Sequence, residues 1–397
     1  MSEASPSYTI PFARPHIGKE EEEAVLRVLR SGWLTTGKEA LAFEEEFAKA
    51  VGVPHACAVQ SATAGLHLAL EAVGVREGDL VITTPYTFTA TAEVARYLGA
   101  EVLFCDIDEK TLTIDPREVE RALKDPVVVR KAKVVLPVHL AGRGARMAEL
   151  LEIARTVGVA VVEDAAHAFP VETPLGTLGT IGDLGVYSFY ATKPITTGEG
   201  GMVVTASEVY ARRVRLMRLH GIDRPVWNRY RTAGAAWYYE VVEPGFKYNM
   251  PDILAAIGRV QLRKAWKLRE ERKRIALRYL EAFATRDYLI LPDAPEEHAW
   301  HLFILGIRED LLSITRDEYV ESLTRRGIGT SVHYIPLFLM PYYRERYHLS
   351  PDDFPVSMKV YQRSFSLPLY PGLSDEEVDY VIRSVLETGD AAYRKRP

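Results

Sequence analysis

GVYSFYATKPITTGEGGMVVT occupies residues 185–205, and VAVVEDAAHA occupies residues 159–168. The first consists of two apolar runs, GVYSF and GMVVT, held apart by a polar, glycine-rich return. The second is a very apolar run that stops on an acid. Short β-branched runs bounded by glycine and polar clusters are strand signals. Outward from these two stretches the same signal recurs at ACAVQ (56–60), LVITT (80–84), EVLFC (101–105) and KVVLPV (133–138). Amphipathic stretches such as TAGLHLALEAV, TATAEVARYLG, DPREVERALK and ARMAELLEIARTVG alternate with the first five runs. Strands that read as unbroken apolar runs are buried on both faces, and helical crossovers imply parallel pairing. The expected fold is therefore α/β, with a large domain built on a mainly parallel seven-stranded sheet flanked by helices. Ligands of such sheets bind beyond the carboxyl ends of the strands, so the residues at those ends carry the chemistry.

The pattern changes after residue 221. IDRPVWNRYRTAGAAWYYEVVEPGFKYN (222–249) is rich in aromatics, arginine, glycine and proline and has no clean period. Long irregular segments of compact domains are commonly functional, and so many aromatics argue against disorder. PDILAAIGRVQLRKAWKLREERKRIALRYLEAFA (251–284) is helical, with Pro251 suited to a first turn. Beyond it come the strand-like HLFILGI and GTSVHYIP and the helical RDEYVESLTRRG and SDEEVDYVIRSVLETG. We read residues 1–30 as an N-terminal arm and first helix packing with the small domain, and 31–250 as the large domain. Residues 251–274 form a linking helix, and 275–397 a smaller α+β C-terminal domain. A length of 397 residues agrees with two or three domains at about 150 residues each.

Composition excludes several function classes. Forty-nine basic and 54 acidic residues leave a net charge of −5, which gives no nucleic-acid surface. No segment approaches the roughly 20 apolar residues of a membrane helix, and the N-terminus has no signal-peptide pattern. Cys57 and Cys105, both in apolar runs, lack metal-ligand spacing and fit a reducing, cytoplasmic setting. No metal site is expected. The 21 tyrosines against 13 phenylalanines suit wet pockets and interfaces.

Four strand ends carry the candidate chemistry. QSATAGLHLAL (60–70) runs from a strand straight into a helix, whose first N–H groups, with Ser61 and Thr63, can hold an anion or simply cap the helix. Asp164 could pair with a cationic ring nitrogen or cap a helix. Lys193, the one lysine between Lys133 and Lys247, is bordered by small and apolar residues that can lower its pKa and make it a nucleophile. Tyr86 and Phe88 follow a strand, and either could stack on a flat ring or belong to the core. A phosphate cradle, an aromatic platform, a strand-end aspartate and an accessible lysine together are the requirements of pyridoxal 5′-phosphate. The lysine makes the Schiff base and the aspartate keeps the pyridine nitrogen protonated. The EEEE run at 20–23 reads as the exposed, dipole-favoured start of a first helix.

SGWLTTG (31–37), QSATAGLHLAL, EDAAHA (163–168), SFYATKPITTGEGG (188–201), GFKYNMPDILAAIGRVQL (245–262), WHLF (300–303) and VHYIPLFLMPYYRERY (332–347) resemble, in order, the DegT/StrS family of pyridoxal-phosphate-dependent sugar aminotransferases. The resemblance implies the aspartate aminotransferase fold type I and roles position by position. Lys193 and Asp164 would be catalytic, as Schiff-base lysine and pyridinium partner. Ala62, Thr63 and Ser188 would bind the phosphate, Phe88 would stack on the ring, and His167 would lie near the ring oxygen. Asn249 would reach the phosphate of a partner subunit, which makes a homodimer with interface active sites. Thr35, Arg229, His333 and Tyr334 are substrate candidates, and Arg231 shares the loop of Arg229. Phe338 departs from the family, which often has histidine there.

The activity so implied is ping-pong transfer of an amino group from L-glutamate to a nucleotide-linked keto-deoxy sugar, for example a UDP- or dTDP-4-keto-6-deoxyhexose, in polysaccharide biosynthesis. The partners are the nucleotide sugar and the amino acid, with neither nucleic acid nor membrane. Two other readings are a catalytically silent PLP-fold regulatory or binding protein and a PLP-dependent keto-sugar dehydratase. Lys193 argues against the dehydratase, because those relatives carry histidine at that position. A nicotinamide-dependent dehydrogenase fails for want of GxGxxG after the first strand.

Overall fold

A computed structural model describes residues 9–223 and 238–394. The seven runs all form strands: β1 (His55–Val59), β2 (Leu80–Thr83), β3 (Glu101–Phe104), β4 (Ala132–Val135), β5 (Ala160–Asp164), β8 (Leu184–Ser188) and β9 (Gly201–Thr205), with a small hairpin, β6 (Glu172–Thr173) and β7 (Gly176–Thr177), between β5 and β8. They make one sheet in the order β1-β9-β8-β5-β4-β2-β3. The pairs β2–β3, β2–β4, β4–β5 and β5–β8 are parallel. Strand β9 runs antiparallel to both neighbours, so β1 and β8 share a direction across it. Gly201 pairs with Val59 on one side and with Ser188 on the other. That register brings the carboxyl ends of β1 and β8 level with the start of β9.

Strands β8 and β9 are buried at every residue, as their unbroken apolar runs require. Helices cover both faces. The helix α1 (Lys19–Ser31) packs through Ala24 and Val28 on Ala256 and Val260. The helix α2 (Lys38–Val51) places Phe43 and Phe47 against Phe169, Tyr187 and Phe189. The helix α3 (Ala62–Ala72) lies on β8 and β9, where Gly65 meets Val186 so closely that an added Cβ would sit 2.7 Å from its side chain. The helix α4 (Ala90–Tyr97) follows the loop after β2.

The helix after Pro251 runs from Asp252 to Phe283, as its pattern over 251–284 requires, and so continues nine residues into the segment assigned to the small domain. Its apolar pattern does not stop at residue 274. Ile275, Ala276, Tyr279 and Phe283 continue it into a second core. That core surrounds a three-stranded antiparallel sheet of β10 (Leu289–Ile290), β11 (Phe303–Ile307) and β12 (Ser364–Leu367). The N-terminal arm reaches it at Ile10, which exchanges backbone hydrogen bonds with Gly327 and Gly329 at 2.8 Å each. Among the described residues no helix is long and apolar enough to cross a membrane.

The acidic run at 20–23 is not exposed throughout. Glu21 is 2% exposed, accepts hydrogen bonds from Gln261 Nε2 and Gly18 N–H, and pairs with Lys264 at 3.0 Å. Four successive helical positions span most of a turn, so one of them has to face inward.

Candidate active site

The carboxyl ends of β1, β5 and β8 and the loop after β2 enclose a cavity of about 460 Å³. Ala62, Thr63, Phe88, Asp164, His167, Ser188, Lys193, His333 and Tyr334 all line it. Thr35 and Asn249 do not. Thr35 is exposed before α2, and the Asn249 side chain bonds Thr36 Oγ1 and Lys247 Nζ at 2.6 Å each. Arg229, Tyr230 and Arg231 lie outside the described residues.

The anion cradle follows from backbone geometry. Ser61 caps α3, its Oγ accepting the Ala64 N–H at 3.1 Å, which leaves the first N–H groups of the helix at Ala62 and Thr63 without intrahelical partners. Gly201 presses on this turn. A Cβ there would lie 2.8 Å from Ala62 N. Helix start and β9 can therefore meet only through glycine.

Asp164 closes β5. Its N–H donates to Pro137 O and its carbonyl accepts from His139 N–H. Thr91 donates to Oδ2 at 2.8 Å, and Ala166 N–H donates to Oδ1 at 3.1 Å. Burial pushes this carboxyl up from its ordinary range, opposed by those two hydrogen bonds and by the charge of Lys193. Burial likewise lowers Lys193 to about 8, with Asp164 opposing. The cavity thus holds an amine able to lose its proton near neutrality beside a buried carboxylate.

The residues flanking Asp164 are held by a network that sequence reasoning missed. Glu163 accepts from Gly179, Ile181 and Gly182 N–H at 2.8, 2.6 and 2.6 Å, and meets His139 Nε2 at 2.8 Å. His139 Nδ1 accepts the Ala145 N–H, so its Nε2 carries the hydrogen donated to Glu163. Thr91 and His301 were missed too. Thr91, which also bonds Thr87 Oγ1, sits on the inward face of α4. His301, a polar residue inside the apolar HLFILGI, lines the cavity with its ring 4.4 Å from that of His167. Its buried Nδ1 has no partner among the described residues. Glu163 and His301 each border an apolar run, which was the available signal, whereas Thr91, among Thr89, Ala90, Ala92 and Glu93, gave none.

Tyr86 and Phe88 separate cleanly. Tyr86 is 1% exposed, in a cluster with Ile107, Leu140 and Leu302. Phe88 is 58% exposed at the cavity wall, which leaves its face free for a flat ring. Phe338 is buried and stacked on Phe354 at 5.1 Å, so it belongs to the core and touches no ligand. His220, outside the cavity, uses its backbone N–H to hold Phe246 O.

A second, mostly apolar cavity of about 680 Å³ adjoins the first and shares Thr87, Phe88 and Tyr334 with it. Tyr97, Tyr342 and Tyr343 line it. These tyrosines come from α4 and the region after residue 336, not from the 222–249 segment. Tyr248 of that segment instead stacks on Phe246 beside His67. No group of His, Cys, Asp or Glu suited to a metal ion occurs among the described residues.

The cavity's groups fit pyridoxal 5′-phosphate. A helix start with free N–H groups suits its phosphate, an exposed aromatic face suits its ring, and a buried carboxylate and amine suit its nitrogen and aldehyde. Comparison with known proteins points the same way. The profile described as the DegT/DnrJ/EryC1/StrS aminotransferase family matches residues 15–386. The spore coat polysaccharide biosynthesis protein SpsC of Bacillus subtilis is 45% identical over 382 residues, covering 96% of this chain and 97% of SpsC. Two solved structures each superpose with a TM-score of 0.88. One is Helicobacter pylori PseC, an aminotransferase involved in the biosynthesis of pseudoaminic acid, at 29% identity over 97% of this chain and 100% of that one. The other is Spr1654 from Streptococcus pneumoniae in its PMP form, at 30% identity over 96% and 99%.

Proposed function

The chain belongs to the DegT/DnrJ/EryC1/StrS aminotransferase family, a PLP-dependent enzyme family, and on that premise we propose that it moves an amino group from L-glutamate to a nucleotide-linked keto-deoxy sugar. A UDP- or dTDP-4-keto-6-deoxyhexose is the acceptor we favour, with the work done in the cytoplasm for polysaccharide biosynthesis. The names of SpsC and PseC support the sugar reading. The observation that carries it is the shared cavity of Lys193 and Asp164, opening onto a large tyrosine-lined space.

When bound, pyridoxal 5′-phosphate supplies an aldehyde carbon and a protonated ring that accepts electrons. In this reading Lys193 Nζ would hold the cofactor's aldehyde carbon and would serve as general base toward the donor's Cα proton. A fall of its pKa to about 8 suits that task. Asp164 holds the proton on the ring nitrogen. The N–H groups of Ala62 and Thr63 and the Ser188 hydroxyl would bind the phosphate, and Phe88 would stack on the ring. Asn249 does not line its own chain's cavity, which agrees with a role at the phosphate of a second subunit in a homodimer. Thr35, Arg229 and His333 remain substrate candidates, and the apolar outer cavity suits the sugar and base.

The test is spectroscopic. Protein loaded with pyridoxal 5′-phosphate should be yellow and lose its visible band on addition of glutamate. The glutamate-treated protein should then aminate at least one member of a panel of keto-sugar nucleotides. Protein that takes up no cofactor, or a band that glutamate leaves untouched, would refute the proposal.

A further inference from the structure

The outer cavity is walled mainly by apolar and aromatic groups, among them Ile335, Met340 and Tyr342, yet one carboxylate stands in it. Glu93, half-buried on α4, lines the cavity together with Thr89, Tyr97 and Tyr343. Its side-chain partners are hydroxyls. Tyr97 donates to Oε1 at 2.5 Å and Thr89 donates to Oε2 at 3.1 Å. The bond to Glu93, followed by burial, raises the Tyr97 pKa to about 12, so the phenol keeps its hydrogen at neutral pH. Thr89, having given its one hydrogen to Glu93, accepts from Tyr343 Oη at 3.1 Å. Arg96, three residues further along α4 and on the same wall, is engaged elsewhere. It pairs with Glu101 at 2.8 Å and donates to Ala100 O and Tyr342 Oη.

A carboxylate offers about four lone-pair sites and no hydrogen of its own. Two of these sites are used here, one on each oxygen, which leaves each oxygen a site for a ligand. Two adjacent acceptors match two neighbouring hydroxyls on a sugar ring, and hydrogen bonds to a charged acceptor are about twice as strong as neutral ones. The apolar wall suits the C–H face of such a ring, in the usual pattern of a pocket with a few polar groups that fix orientation. Charge points the same way. With Arg96 held by Glu101, the negative charge of Glu93 meets an incoming ligand without a paired cation among the described residues. In a largely apolar cavity, where solvent screening is reduced, that charge repels an anion. Phosphate is thus disfavoured where a neutral polyol is accepted.

Resting on the acceptor reading above, we propose that Glu93 is a specificity-determining residue that binds a pair of neighbouring hydroxyls on the acceptor, so that the outer cavity holds a neutral ring and the diphosphate lies outside it. The pyranose and the ribose of a nucleotide sugar each carry such a pair. The two cavities share Thr87, Phe88 and Tyr334, so one acceptor molecule can extend from the outer cavity into the one that contains Lys193.

The experiment is a calorimetric titration of a UDP-linked 4-keto-6-deoxyhexose, without amino donor, into PLP-loaded wild type, Glu93→Gln and Tyr97→Phe, with the PLP uptake and melting temperature of each. Glu93→Gln should weaken binding about tenfold, with little change in PLP uptake or melting temperature. Tyr97→Phe leaves the carboxylate in place and should bind the ligand no more weakly than wild type. The 2′-deoxyuridine form of the same ligand identifies the hydroxyls. A loss of about tenfold in wild type assigns the ribose to Glu93, and equal binding of the two forms assigns the pyranose. Equal affinity in wild type and Glu93→Gln overturns the proposal. Tighter binding by Glu93→Gln overturns it too, since relief of repulsion means that the diphosphate occupies the cavity. Equal losses in Glu93→Gln and Tyr97→Phe reduce Glu93 to a brace of the cavity wall and also overturn it. If the wild type takes up PLP yet binds neither form, the acceptor reading itself fails and this inference with it.

Discussion

Thr91 donates its hydroxyl hydrogen to Asp164 Oδ2 at 2.8 Å, joining the first turn of α4 to the end of β5 across 73 residues of chain. Thr87 Oγ1, 2.9 Å away, is the partner left to donate to Thr91. This hydroxyl pair is one of the few influences that keep a buried carboxyl ionised. Thr91→Val should let Asp164 rise further and lower the transamination rate by about tenfold, in line with a hydrogen bond to a charged group. Asp164→Asn should cost considerably more. A kcat of the valine variant equal to wild type across the pH range would remove the threonine from the argument.

Lys193 gives a prediction with a definite sign. Its pKa falls from 10.5 to about 8 on folding, so below pH 8 the folded protein bears the cost of a buried ammonium. Between pH 8 and 10.5 the unfolded chain binds more protons than the folded one, and stability rises with pH. In the cofactor-free protein Lys193→Met should relieve about 3 kcal/mol at pH 7, and the gain should vanish above pH 10.5. Denaturant unfolding at the two pH values measures this directly. The same variant should transfer no amino group.

Glu163 offers both oxygens to donors and can supply none itself. Glu163→Gln turns one acceptor into an NH₂ that faces an N–H. Folding stability should drop by about 3 kcal/mol, with weaker cofactor binding because Asp164 is the next residue. An unchanged unfolding midpoint would show that the loop at 179–182 is held by other means.

Glu21 tethers α1. Burial pushes its carboxyl up, but hydrogen bonds from Gln261, Gly18 and Lys264 outweigh that and leave the pKa below 4.5. A lowered carboxylate stabilises the fold at neutral pH and loses that contribution as pH falls through its folded value. Glu21→Gln should thus destabilise at pH 7, with the deficit shrinking in acid. Gln261 also accepts the Thr196 N–H, three residues beyond Lys193, so the variant should mildly disturb the lysine loop.

The strands and the Lys193–Asp164 pair were legible because both depend on local pattern, namely apolar runs and the residues at their ends. Tyr86 and Phe88 were not separable by pattern. They stand two residues apart, and strand alternation puts such residues on one face, so even an extended chain beyond Thr83 would not have sorted them. Glu163 and His301 were legible only as polar residues bordering apolar runs, and Thr91, in a mixed stretch, was not legible at all. Their meaning lies in partners such as Asp164, Gly179 and His167, which a one-dimensional reading cannot bring near. The helix after Pro251 was legible over its full length, 251–284 against Asp252–Phe283, whereas the burial of Leu268, Arg272 and Ile275 along its charged half was not, because it depends on partners far off in the chain.

That helix acts as a tie-beam. Thirty-two residues at 1.5 Å each make a rod of about 48 Å. One end is mortised among Phe43 and Phe47 and the other among Phe303 and Leu305. No joint interrupts its hydrogen-bonded backbone. A cut at residue 274 would leave two stumps, each with frayed bonds and a bare apolar flank. The two cores should therefore melt in a single cooperative step, and the C-terminal region expressed alone from residue 275 should fail to fold.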